Sequence, residues 1–191
     1  MSDEDEKIEG QVRDQELDAE AEARRRIALA QIRQYPDAAL RMEARPVEEY
    51  DDELRGLVLR MKRLMVDANG IGLAATQVGV LRRVFVFQAG DDDVAAVVNP
   101  EIVDASDDTE IADEGCLSIQ GVTVPVERSV AVTLVGRDEE GVERRYELEG
   151  YTARCVQHET DHLDGVLMLD RTTPEARREA LGVLRPRIVL T

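Results

Sequence analysis

The chain has 191 residues, enough for one domain with a sizeable core, and its 43% hydrophobic and 34% charged content is that of a water-exposed globular protein. No apolar run reaches the length of a membrane span, and the acidic opening Met1-Ser2-Asp3-Glu4-Asp5-Glu6 is the opposite of a basic, then apolar, signal segment, so a cytoplasmic protein without a membrane partner is expected. The net charge of -17 argues against direct, sequence-independent binding to nucleic acid.

The first 22 residues hold ten acids against Lys7 and Arg13. Residues 1–26 therefore read as an acidic extension, disordered or helical, and 27–191 as the catalytic domain. An Ala- and Arg-rich helix is predicted from Leu17 to Arg33, broken by Pro36, with a short turn over Asp37–Arg41. Asp51-Asp52-Glu53 then opens a helix whose Leu54, Leu57, Val58, Met61, Leu64 and Met65 recur at three- and four-residue steps, and Gly70 is expected to stop it. Arg82–Gln88 and Val94–Val98 read as strands, with a turn at Asp91-Asp92-Asp93 between them and Pro100 closing the second. Ile102-Val103 begins another extended piece, and Val122–Glu149 is β, with a hairpin through Asp138-Glu139-Glu140-Gly141. A helix from Tyr151 to Leu163, a terminal helix over Pro174–Leu184 and a last short strand at Ile188–Leu190 complete the chain. This order gives an α+β class, with mixed or antiparallel sheets around the Tyr151–Leu163 helix.

That helix carries Gln157-His158-Glu159-Thr160-Asp161-His162, which holds both histidines of the chain. Residues four apart share a helix face, so His158 and His162 can meet one ion while Glu159 reaches a water beside it. A catalytic centre of this type takes a third protein ligand and keeps one position open. Two cysteines are candidates. Cys116, in Glu114-Gly115-Cys116-Leu117-Ser118, lies on another segment; Cys155 shares the helix and better suits a pocket wall. A third stretch, Gly70-Ile71-Gly72-Leu73-Ala74-Ala75-Thr76-Gln77, has glycines that allow close backbone approach and an amide, Gln77, able to donate to a developing oxyanion.

In order and spacing these three stretches resemble the three motifs of the peptide deformylases. Pro36-Asp37 with Leu40-Arg41, Asn99-Pro100 and Asp164-Gly165 extend the similarity, which spans roughly residues 30–171. The resemblance implies a hydrolase that removes the formyl group from the N-terminal formyl-methionine of new polypeptides. It implies Cys116, His158 and His162 as ligands of one divalent ion per chain. Ferrous iron is the ion expected in vivo, with zinc, nickel or cobalt able to replace it. Glu159 would be the general base, and Gln77 and the Leu117 N–H the oxyanion donors. Ile71, Gly72, Gly115 and Cys155 would bind substrate. The partner is the nascent chain, met transiently at the ribosome exit region. Thr160, where the family usually has an apolar residue, implies a packing difference, and Ile119-Gln120-Gly121 a different groove shape. Three other readings share these residues: an endopeptidase of the His-Glu-x-x-His kind, an inactive interaction protein of deformylase fold, and a thiol enzyme using Cys116.

Overall fold

A computed structural model describes residues 18–90 and 93–184. The expected turn at 91–93 falls partly, and the strand at 188–190 and most of the acidic segment wholly, outside the described residues. Helix α1 covers 18–29. Its end packs on the core through Ala28 and Leu29 and, just beyond the helix, Ile32. A 3-10 turn, Ala38–Arg41, follows, with the Asp37 carboxylate accepting from Ala39 N–H at 2.9 Å. Helix α2 is Asp52–Asp67. The Asp51 side chain caps it by accepting from Leu54 N–H at 2.9 Å, and Asp52 and Glu53 in the first turn face the positive end of the helix dipole. Leu54, Val58, Met61, Leu64 and Met65 are buried, as their spacing predicts. The helix does not end at Gly70. Asn69 takes the left-handed conformation that stops it (φ 56°), which asparagine tolerates better than other non-glycine residues.

Strands β1 (Gly72–Ala74), β2 (Val84–Gln88), β3 (Val94–Ala105), β6 (Ala131–Arg137) and β7 (Glu143–Glu149) form an antiparallel sheet in the order β1-β2-β3-β6-β7. The run Val84-Phe85-Val86-Phe87 is buried on both faces. Val84 and Val86 pack toward α2, while Phe85 and Phe87 pack toward α3 (Gly150–Leu163). Pro100 does not close β3. The strand bulges between Val98 and Glu101, with Asn99 at φ 50°, so no ladder bond is asked of the proline nitrogen and pairing resumes beyond it. The piece at Ile102-Val103 is part of this same strand.

Strand β4 (Thr109–Cys116) is absent from the sequence reading; it pairs with β5 (Ile119–Ser129) as a separate two-stranded sheet. Its pattern gave no signal because Glu114 is its one fully buried residue. Helices α4 (Met168–Arg171) and α5 (Pro174–Leu184) close over β5, where Leu40, Ile119, Val124, Val126, Leu167 and Met168 form a third core. Helix α3 thus lies between the five-stranded sheet and the β4–β5 hairpin. Among the described residues all strand pairings are antiparallel, and one isolated parallel bridge, Arg45 with Arg82, stands apart. No helix among the described residues is long and apolar enough to cross a membrane.

Candidate metal centre

The α3 segment turns its apolar side, with Ala153, Val156 and Leu163, into the sheet core. One turn apart on the same helix, His158 and His162 stack edge to face with ring centroids 4.8 Å apart. The β4–β5 hairpin brings Cys116 to them from its tip, where Cys116 pairs with Ile119. Cys116 Sγ lies 3.3 Å from His162 Nε2, and the ligand atoms of Cys116, His158 and His162 all fall within 4.8 Å of one another. A thiolate and two imidazoles are donors suited to a first-row divalent ion. This cluster is therefore compatible with a single tetrahedral cation.

Behind the cluster lies a buried charge network. Glu114 Oε2 meets His158 Nδ1 at 3.0 Å, which leaves His158 Nε2 to face the cluster. Arg128 donates to both oxygens of Glu114 (2.9 and 3.1 Å) and to Asp161 Oδ2 (2.6 Å), and Arg171 donates to Asp161 from the other side. Burial pushes the Glu114 carboxyl up, but the bonds from His158 and Arg128 outweigh it and hold it at about 2. Burial, with the neighbouring His158, drives the His162 imidazole well below its usual value. For His158 burial acts the same way but is overcome by the bonds to Cys116 and Glu114.

Glu159 is 4% exposed, and burial, reinforced by Glu114 and opposed by His158, pushes its carboxyl up to about 7. Its Oε2 has no hydrogen-bond partner among the described residues. Gln77 sits in the 3-10 turn Ala75–Val78. Its Oε1 accepts from Ala74 N–H at 2.8 Å, which turns Nε2 toward Ser118 Oγ (3.1 Å) and Cys116 Sγ (3.6 Å). Cys155 stays outside the cluster. Its thiol donates to the Ile71 carbonyl at 3.5 Å, and burial raises its pKa well above the ordinary value. The same Ile71 carbonyl accepts from Gln88 N–H at 2.9 Å, so it is already engaged by the protein. Thr160 donates its hydroxyl to the Val156 carbonyl at 2.7 Å, along its own helix.

A cleft of about 290 Å³ opens over these groups. Ile71, Gly72, Gln77, Gly115, Cys116, Leu117, Cys155, His158 and Glu159 all line it; His162 lies beneath, 1% exposed. The sequence reading gave no role to Glu114, Arg128, Arg154 or Asp161. A signal for Arg128 exists: it shares strand parity with the buried Val124 and Val126, so a charge was due on an inward face.

An antiparallel α+β fold with a Cys-His-His cluster and a buried glutamate on the histidine helix defines a metal-dependent hydrolase of the His-Glu-x-x-His type. The polypeptide deformylase family model matches residues 29–178. The peptide deformylase of Thermotoga neapolitana is 47% identical over 146 residues, 76% of this chain and 88% of that protein. That of Acidothermus cellulolyticus is 45% identical over 159 residues, 83% and 87% of the two chains. Among solved structures, the Synechococcus elongatus peptide deformylase in complex with actinonin superposes with a TM-score of 0.77 at 39% identity, covering 80% of this chain and 86% of that one. The Thermotoga maritima enzyme gives 0.72 at 44%, covering 75% and 97%. The chain belongs to the peptide deformylase family, the metal-dependent hydrolases that take the formyl group from the N-terminal formyl-methionine of new polypeptides.

Proposed function

We propose that deformylation runs in this cleft, with one divalent ion held by Cys116 Sγ and the imidazoles of His158 and His162. The observation that carries this reading is the gathering of the three ligand atoms within 4.8 Å of one another beside a buried carboxylate. The ion would supply Lewis acidity and lower the pKa of a water toward neutrality. Glu159, poised at about 7, accepts the proton that the attacking water loses and delivers it to the amine nitrogen as the C–N bond breaks. The products are formate and a free N-terminal methionine. The Gln77 amide, fixed by its bond to Ala74 N–H, and the Leu117 N–H receive the negative charge that develops on the formyl oxygen. Loss of one such donor typically costs about 3 kcal/mol of barrier. β1 is the edge of its sheet and lines the cleft, so the outer backbone of Gly72 can bind an extended peptide, with Ile71, Gly115 and Cys155 forming the walls.

Ferrous iron is the ion we assign in vivo, with zinc, nickel and cobalt as substitutes, since imidazole and thiolate suit all of them. The substrate arrives as a nascent chain in the cytoplasm. Contact with the ribosome exit region is transient, and the net charge of -17 opposes direct binding to RNA. Residues 27–191 are the catalytic unit and 1–26 an extension to it. The test is metal analysis of anaerobically purified protein together with turnover of formylated and unformylated methionyl peptides. One metal per chain and formate release from the formylated peptide alone are expected. Internal cleavage of unformylated peptides would mean an endopeptidase instead.

A further inference from the structure

The three proposed ligands sit on two bodies. His158 and His162 belong to α3, which is packed on the five-stranded sheet. Cys116 belongs to the β4–β5 hairpin, which shares no strand ladder with that sheet. The distance from thiol to imidazole is therefore set by the contacts that tie the hairpin to the helix, together with those that hold its tip to Tyr35 and Gln77 (Tyr35 N–H to the Ser118 carbonyl at 2.8 Å, Gln77 Nε2 to Ser118 Oγ at 3.1 Å).

Arg154 is one of the ties to the helix. It lies on α3 one turn before His158, on the same helix face, and is 7% exposed. Its Nη1 donates to Glu114 Oε1 at 2.9 Å and to the Val126 carbonyl at 2.8 Å, and its Nη2 donates to the Glu110 carbonyl at 2.7 Å. One side chain of the helix thus grips both strands of the hairpin. It also grips the carboxylate that orients His158. A guanidinium spreads its donors in a rigid planar fork that reaches acceptors on both strands; an ammonium gathers its rotatable donors on one nitrogen and cannot span them in the same way. Arg128, which also holds Glu114, extends from the hairpin itself, so it approaches the carboxylate from the opposite body. Glu114 is clamped between the two.

We propose that Arg154 is a positioning residue that fixes the hairpin against α3 and so sets the placement of Cys116 relative to His158 and His162. This rests on the ligand assignment given above, and the experiment separates the two. Cobalt(II) is the probe, loaded into the full chain. Its affinity is read by chelator competition and its thiolate bond by the sulfur-to-cobalt charge-transfer band. Wild type should show the band and Cys116→Ala should lack it; if wild type lacks it, the ligand assignment fails. Arg154→Met keeps an unbranched stem and removes the clamp. It should fold, bind cobalt about tenfold more weakly, the lower end of the range for partners behind a metal ligand, and show a weakened or shifted band. Arg154→Lys should fall between Met and wild type. If wild type shows the band and Arg154→Met keeps both the band and the affinity, with only a lower melting temperature, Arg154 is structural and the proposal is overturned. Should Arg154→Met fail to fold, Arg154→Lys decides: wild-type affinity and band in that variant overturn the proposal in the same way.

Discussion

Gly72 leaves the space that the Glu159 carboxylate occupies. A methyl group at position 72 would overlap Glu159 Oε1 and come within 2.8 Å of Cys155 Sγ. Two residues earlier, a methyl group on Gly70 would meet Leu117 Cδ1 at 2.7 Å. Each glycine therefore makes room for a residue of a different distant motif. Gly72→Ala should displace the Glu159 carboxylate while sparing the ligands. A displacement near 1 Å can cost about a hundredfold in rate. We expect a loss of that order in kcat at unchanged metal content. Full turnover would mean that Glu159 moves aside without consequence.

Glu159→Ala removes the proposed proton carrier and no ligand. It should bind a full complement of metal and turn over formyl-methionyl peptide at least about a hundredfold more slowly, as general acid–base groups contribute about 10²–10⁴ in rate. Near wild-type turnover would sink the role.

The two cysteines should behave in opposite ways. Cys116→Ala should lose metal, whereas Cys155→Ala, whose thiol bonds the Ile71 carbonyl, should keep it. Metal analysis of the two purified variants decides, and the reverse pattern would replace Cys116 with Cys155 in the ligand set.

Asp170 offers a pH test on stability. Burial raises its carboxyl, but bonds from Arg41 and from Leu167 N–H outweigh this and hold it below the usual range. The folded pKa is depressed. The contribution is therefore complete above the unfolded aspartate value of about 3.9 and disappears as pH falls through the lower folded value. Asp170→Asn should melt below wild type at neutral pH, and the gap should close on acidification. A gap independent of pH would show that the pairing with Arg41 carries none of it.

Removal of residues 1–20, which hold no ligand, proton carrier or oxyanion donor of the proposed site, should leave turnover on a short formylated peptide within about a factor of three, a cost of roughly 0.5 kcal/mol. The family match begins only at residue 29. A hundredfold loss with metal retained would make this segment part of the active unit.

Periodicity made α2, α5 and the β6–β7 hairpin legible, because each turns one apolar face to one core. The unbroken apolar run Val84-Phe85-Val86-Phe87 announced a strand for a different reason: it is buried on both faces, between two cores. Strand β4 was illegible because Thr109-Glu110-Ile111-Ala112-Asp113 lies largely on the surface, and its one buried side chain is charged. The site divided along the same line. His158, Glu159 and His162 form one short-range pattern of recognisable chemistry, whereas Cys116 lies on another segment and stands beside Cys155 as a candidate until the resemblance to the peptide deformylases favours it. The Glu114–Arg128–Asp161 network draws on three elements, and its members are individually ordinary charged residues. Only the fold makes them neighbours.

The hairpin also acts as a lever. Its base is fixed to the five-stranded sheet where Ser106 N–H donates to the Ala131 carbonyl, and Cys116 rides at the far end of the eight-residue β4. At a rise of about 3.3 Å per residue that arm is about 26 Å long. A tilt of about 2° at the root would then move the thiol by about 1 Å. Angular accuracy at such a tip has to come from fastenings beyond the root, along the arm at Glu110, Glu114 and Val126 and at the tip at Ser118. It follows that residues added to the link between β3 and β4 should be tolerated, whereas lengthening the tip between Cys116 and Ile119 should not.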